Sequence, residues 1–265
     1  MTSSAPLPSL PRIMVAPNGA RKMKSDHPAL PITVEETVRA AKACFEAGAE
    51  GLHAHVRDRQ GNHVLDAGLY RELLKEMGSA IPGMHVQITT EAVGIYSPEE
   101  QRALVRDVMP NAVSIALREM CPDEETAEAR SFYHWAAEAG IAVQHILYSP
   151  EDVDRFLCFA SDGVIPGQSA QVLFVLGRYA ENQESDPEDL DSFLTELARC
   201  PADLNLDWAI CAFGHRETDC LVHAMKKGGK ARIGFENGLW NRDGALATDN
   251  ADRVHDLVMA LKGAA

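Results

Sequence analysis

Eight short apolar runs alternate with longer amphipathic stretches along this chain, and that rhythm constrains its fold more than any other feature. The runs cover residues 13–16, 51–55, 85–89, 112–116, 142–147, 171–176, 208–213 and 231–235. Each is short, and most are rich in Val, Ile, Leu and Ala, as strands covered on both faces are. Helix starts fall between them. Thr33 with Glu36 makes a capping box before a helix that Gly48 ends. Ser97-Pro98-Glu99-Glu100, Ser149-Pro150-Glu151 and Asp186-Pro187-Glu188 each set a cap before a first-turn proline. Further helices are expected from about residues 67, 125, 217 and 250. Eight such units without a break in composition predict a (β/α)8 TIM barrel rather than an open doubly wound sheet. No Gly-x-Gly-x-x-Gly follows a strand, which argues against dinucleotide binding.

A single barrel domain is expected over residues 11–265, after a flexible tail at 1–10 with neither a basic nor an apolar segment of a signal peptide. The acidic stretch 181–188 reads as a solvated loop. A net charge of −14 argues against nucleic acid or an anionic membrane as partner. No apolar run approaches the ~20 residues that span a bilayer. The six cysteines form no Cys-x-x-Cys pair, a pattern that suits reduced thiols in the cytoplasm.

Reactive groups of such a barrel gather where strands end and the following loops begin. Those positions hold Asn18, His53, His55, Arg57, Asp58, Thr89, Thr90, Glu91, Ser114, Arg118, Glu119, Arg232, Glu236 and Asn237. In His53-Ala54-His55-Val56-Arg57-Asp58 the two histidines lie two apart on a strand, so both imidazoles face the same way. They supply half of a metal site. Glu236 ends the eighth strand, which a closed barrel brings near the second. It is the natural third ligand of a His/His/Glu zinc site with one open position. The donor set also admits cobalt, nickel or manganese. Plainer roles fit the same residues: hydrogen-bonded core histidines, an Arg232–Glu236 ion pair, backbone bonds from Thr89 and Ser114. Asp58 is expected to orient an imidazole or hold Arg57. His27, His63, His85, His134, His215 and His223 read as surface or packing residues.

Several segments also recur in a familiar order. They are Ala16-Pro17-Asn18-Gly19-Ala20, Pro31-Ile32-Thr33 with Glu35-Glu36, the His-x-His-x-Arg segment, Gln87-Ile88-Thr89-Thr90, Phe174-Val175-Leu176-Gly177 and Arg232-Ile233-Gly234-Phe235-Glu236-Asn237. Together they resemble the β-keto acid cleavage enzyme family, whose founding activity is 3-keto-5-aminohexanoate cleavage, over roughly residues 11–262. The resemblance implies a zinc-dependent barrel that converts a β-keto acid and acetyl-CoA into acetoacetate and a new acyl-CoA. It implies His53, His55 and Glu236 as zinc ligands and Arg232 as a catalytic arginine. Thr89 and Ser114 fall where the best-known member has a serine and a threonine. Asn237 stands in place of an aspartate and completes the catalytic candidates. Asn18, Arg21, Glu91 and Arg118 are the candidates for substrate binding. Arg21 stands where that member has a glutamate that meets a substrate amine, so a neutral or anionic substituent is expected here, such as a keto-diacid. No carboxylate occupies the fifth strand near Gln144-His145-Ile146. Arg21, Lys22 and Lys24 are expected to meet CoA phosphates or an acidic substrate tail, and Arg57 to support the site through Asp58. The resemblance implies a homotetramer.

Three rival readings stand beside this one. An amidohydrolase-type metal hydrolase would carry its His-x-His on the first strand and further histidines later, where only His145 is available on strand five. A metabolite-binding barrel would keep the metal without turnover. A zinc-dependent aldolase would act on a keto acid without CoA.

Overall fold

The computed structural model of the protein describes residues 7–123 and 126–263. Eight parallel strands, β1 Ile13–Val15, β2 Gly51–Ala54, β3 His85–Thr89, β4 Ala112–Ala116, β5 Ala142–Leu147, β6 Ser169–Leu176, β7 Asn205–Ala212 and β8 Lys230–Ile233, close in chain order, with β1 paired to both β2 and β8. The helices are α1 Val34–Ala47, α2 Ala67–Ala80, α3 Pro98–Val108, α4 Leu117–Met120, α5 Ala127–Glu138, α6 Pro150–Ser161, α7 Leu190–Leu197, α8 Glu217–Lys226 and α9 Asn250–Gly263. The expected (β/α)8 TIM barrel is therefore present.

Local chemistry explains the helix ends. The Thr33 hydroxyl accepts from the Glu36 N–H and the Glu36 carboxylate accepts from Thr33, a complete capping box. Gly48 ends α1 in the left-handed conformation that L side chains avoid. Two departures bear on the site. The turn α4 follows β4 directly, one element more than the eight expected units. The helix expected at Asp186 begins later: Glu181–Gln183 and Pro187–Asp189 are 3₁₀ turns, and α7 starts at Leu190.

The large core lies between barrel and helices, where Leu52, Ile88, Ile115, Phe156 and Leu257 are buried. Inside the barrel the lining is lopsided. Ala116, Ile146, Leu173, Val175, Ala209, Cys211 and Phe213 make one wall, from β4 to the loop after β7, apolar. Polar His53, Gln87 and Arg232 come from β2, β3 and β8. Of the ten residues assigned to a tail, 1–6 lie outside the described residues. Leu10 is buried against the barrel interior, the Gln171 amide donates to the Pro8 carbonyl (2.7 Å) and the Leu10 N–H donates to Asp207 (2.7 Å).

Candidate functional site

Three side chains converge at the carboxyl ends of the strands. His53 Nε2 and His55 Nε2 lie 3.5 and 3.6 Å from Glu236 Oε2, and 3.2 Å from each other. Burial, then the charge of Arg232, holds the His53 imidazole well below its ordinary pKa, so it is neutral. Burial works against charge on Glu236 as well, but Arg232 and the two histidines outweigh it and hold the carboxyl well below the usual range. Glu236 Oε2 is buried with no hydrogen-bond partner. An orphaned carboxylate oxygen facing two imidazole nitrogens is the arrangement a divalent cation satisfies.

The imidazoles are held from behind. His53 Nδ1 lies 3.0 Å from Gln87 Oε1, so the ring donates there and leaves its Nε2 lone pair for the site. Gln87 Nε2 donates to Gln144 Oε1 (3.0 Å), and Gln144 Nε2 to the Val172 carbonyl (3.4 Å). This chain crosses the barrel from β2 to β6. Strand register sets its first link, since His53 pairs with Gln87. On the other side His63 Nε2 donates to the Glu91 carbonyl (3.0 Å), which makes His63 Nδ1 the acceptor for His55 Nδ1 (3.4 Å). His63 is thus no packing residue: it fixes the tautomer of His55.

The turn that carries Glu236 is braced by a buried ion pair. Glu217 accepts from the Gly234 N–H (3.2 Å) and from Arg253 Nη2 (2.7 Å), with neither side chain exposed. Gly19 has φ 57°, and a Cβ there would come within 2.5 Å of the Glu236 side chain, so only glycine lets the loop after β1 close over the site. Arg57 clamps that loop. It donates to the Gly19 carbonyl, to those of Asn18 (3.1 Å) and Lys22 (3.1 Å), and to Gly61 (2.7 Å). The expected link through Asp58 is absent: Asp58 accepts from the Gln60 and Asn62 backbone and caps its own turn, because the Arg57 fork meets carbonyls that outnumber one carboxylate.

The pocket above the three donors is lined by Asn18, Arg21, His53, Thr89, Glu91, Arg232 and Glu236 among the expected residues. Arg232 uses only Nη2, toward Glu236 Oε1 (3.3 Å) and Cys211 (3.3 Å), and leaves buried Nε and Nη1 without partners. Asn18 donates to the His55 carbonyl (3.1 Å), and Glu91 Oε2 lies 3.8 Å from His55 Nε2. The Thr89 hydroxyl accepts from the Glu91 N–H (3.1 Å). Four candidates lie off this lining, His55 among them, which stands with the donors beneath it. Ser114 sits below, its Oγ 3.5 Å from His53 Nδ1. Asn237 is buried without a side-chain partner. Arg118 is spent on Asp152 (2.6 Å) and lies over the rings of Tyr148 and Tyr179.

The basic set splits in the same way. Lys22 donates to the Glu236 carbonyl (2.7 Å) and burial lowers its pKa, while Lys24 pairs with Glu36. His145 points out of the barrel between Tyr133 and Phe156, and burial drives it to about 3, so it offers no strand-five ligand for a hydrolase site. The acidic 181–188 stretch is not a free loop: Gln183 lines the pocket, Glu184 accepts from the His215 N–H (3.0 Å), and buried Ser185 donates to the Phe213 carbonyl (2.6 Å). Sequence reasoning placed no role on Gln87, His63 or Arg178, which also lines the pocket. Only strand register and loop closure bring them there.

The family model described as beta-keto acid cleavage enzyme matches residues 12–264. The chain is 24% identical over 250 residues to the 3-keto-5-aminohexanoate cleavage enzyme of Fusobacterium nucleatum, covering 92% of this chain and 88% of that one. It is 27% identical over 248 residues to the 3-oxoadipate:acetyl-CoA acetyltransferase of Cupriavidus necator, covering 91% and 85%. It is similar in fold to ObcA, solved as a ternary complex with a C4-CoA adduct and oxalate, with a TM-score of 0.72 at 17% identity. That likeness covers 89% of this chain and 64% of the ObcA chain.

Proposed function

The chain belongs to the beta-keto acid cleavage enzyme family, and on that premise we propose that it transfers the acyl group of a β-keto acid to CoA, turning acetyl-CoA into acetoacetate and a new acyl-CoA. One observation carries the reading to this site: two oriented imidazole lone pairs and an orphaned carboxylate oxygen stand beside an arginine with two unused buried donors. His53, His55 and Glu236 would hold a zinc ion. When bound, such an ion supplies a Lewis acid to the keto oxygen of the substrate.

The remaining steps belong to the chain's own residues. Arg232 binds the substrate carboxylate through Nε and Nη1, the donors the protein leaves free. Burial opposes its charge, but Cys211 and Glu236 beside it keep it protonated. The apolar wall of Ala116, Ile146, Val175 and Phe213 keeps water from the carbanion that carbon–carbon cleavage generates at C2. Arg57 holds the loop that brings Asn18 and Arg21 over the substrate. Thr89 and Ser114 serve the site by fixing the Glu91 turn and the underside of His53.

Arg21 at the rim favours an anionic substituent on the far side of the keto group. The 3-oxoadipate name of one relative accords with that preference. The six free cysteines of this chain accord with a cytoplasmic enzyme, and a homotetramer completes the reading. The test is acetoacetate formation by metal-loaded protein from a panel of β-keto acids, with acetyl-CoA present or withheld. Product only with acetyl-CoA supports the reading. Product without it indicates an aldolase or hydrolase, and none at all indicates a binding protein.

A further inference from the structure

Exchange of one acyl group for another on the same carbon requires a proton to be moved twice. C2 of the β-keto acid loses one before it attacks the acetyl carbonyl, and C2 of acetoacetate gains one after the original acyl group has gone. Most ionisable groups around the pocket are committed elsewhere. His53 and Glu236 face each other, Lys22 donates to the Glu236 carbonyl, and burial keeps the Tyr148 phenol well above its ordinary range. Two carboxyls remain, Glu91 and Glu119. Glu91 leans toward His55 Nε2 at 3.8 Å.

Glu119 is placed differently. It sits on α4, the single turn that follows β4, and reaches the pocket across the loop after β3. Its Oε2 accepts from the Ala92 N–H at 3.0 Å, which fixes the carboxyl plane. Its Oε1 forms no hydrogen bond among the described residues. A pocket-lining carboxyl with one oxygen anchored by backbone and the other without a protein partner among the described residues is placed to exchange a proton with a bound molecule.

We propose that Glu119 is the acid–base of this site, taking the proton from C2 of the β-keto acid and returning it to C2 of acetoacetate. This rests on the acyl-exchange reading above. The C2–H electron pair stays on C2 and forms the bond to the acetyl carbon, and the CoA thiolate leaves with the C–S pair. The thiolate then adds to C3 of the original substrate. The C2–C3 bond breaks with its pair on C2, and Glu119 protonates that carbon. One proton goes out and comes back, so no further acid, base or oxidant is consumed. The surroundings suit the role. Burial, and the Glu91 carboxylate, push Glu119 up to about 7, against the Ala92 N–H and the cations Arg118 and Arg178. A group poised near neutrality serves equally as base and acid. The groups that face it are Glu91 from the loop after β3, Arg118 on its own turn, Arg178 from the loop after β6 and Tyr148 from the end of β5.

The experiment compares metal-loaded full-length protein with Glu119→Gln and Glu119→Asp, reading kcat and KM for acetoacetate formation across pH 5.5 to 9. In the unaltered protein kcat rises with pH through an inflection near 7, as the base form is populated. Glu119→Gln retains an oxygen for the Ala92 N–H, so it keeps its fold, yet loses about 100-fold or more in kcat and loses the inflection, with KM nearly unchanged. Glu119→Asp recovers part of kcat and restores the inflection. An unaltered protein that turns over while Glu119→Gln keeps kcat and pH profile overturns the assignment alone. Absence of acetoacetate from the unaltered protein overturns the acyl-exchange reading, and the assignment falls with it.

Discussion

Gln87→Met isolates the contribution of the amide chain behind His53. The exchange nearly preserves volume at a fully buried position, so packing is little disturbed. Two hydrogen bonds of 3.0 Å disappear, one to His53 Nδ1 and one to Gln144 Oε1. Both orphaned groups are buried, and each costs about 1–3 kcal/mol when left unpaired. Ser114 Oγ is 3.5 Å from His53 Nδ1 and can turn to accept its proton, so only Gln144 Oε1 bears the full penalty. The expected net loss is about 2 kcal/mol of stability. The effect on function is larger in proportion. The Ser114 hydroxyl at 3.5 Å is a longer and weaker rear acceptor than the amide oxygen at 3.0 Å, so the ring is held less firmly and loses basicity, which weakens metal binding by about 10-fold. The assay is competition for zinc against a chelator of known affinity, paired with urea unfolding of the metal-free protein. Gln87→Glu is the control, since it restores an acceptor to His53 while removing the donor to Gln144, and metal affinity recovers though stability does not. Unchanged zinc affinity in Gln87→Met would refute the claim that the amide chain tunes the ligand.

Three further outcomes are expected. Arg253→Met strands the buried Glu217 and costs about 3–5 kcal/mol, seen as a fall of about 10 °C in Tm; an unchanged Tm would show that the pair does not brace the 234–238 turn. His145, buried at about 3 against an unfolded value of 6.5, stays neutral when folded while the unfolded chain takes up a proton. Stability therefore falls as pH drops below 6.5, by about 1.4 kcal/mol per pH unit from this group, and His145→Phe should flatten that slope in urea unfolding at pH 7 and 5.5. Arg21→Glu should shift the preference among β-keto acids from anionic toward cationic side chains; identical kcat/KM ratios before and after would remove Arg21 from substrate choice.

The barrel was legible because its signals are local. Capping boxes at Thr33 and Ser97 and short apolar runs depend on neighbours in sequence, and the structure keeps them. The convergence of His53, His55 and Glu236 was legible for a different reason: closure of eight strands puts β8 beside β1, so position alone forces the meeting. The supporting residues were not. Gln87 reads as an ordinary strand residue until register sets it beside His53, and His63 lies beyond a loop whose path follows from the Arg57 clamp. Arg118 and Glu119 both fall at the rim in the sequence, and the structure separates them. The extra turn of α4 sends Arg118 to Asp152 on α6 and Glu119 into the pocket, and a four-residue helix has no periodicity to betray it.

The closed ring has a consequence for how the protein is made. The three donors come from near the start and near the end of the chain, and they meet only once β8 has docked on β1. A partly synthesised barrel, or an intermediate with its seam open, presents two histidines and no carboxylate. Such a species has weak hold on a cation and offers little opportunity for premature or wrong metal loading. Once the seam closes, an ion bound there would clasp strands on either side of β1 and resist their reopening. A cation taken up at these three donors would therefore bind only after the ring has closed, and its uptake kinetics would time the moment the barrel becomes whole.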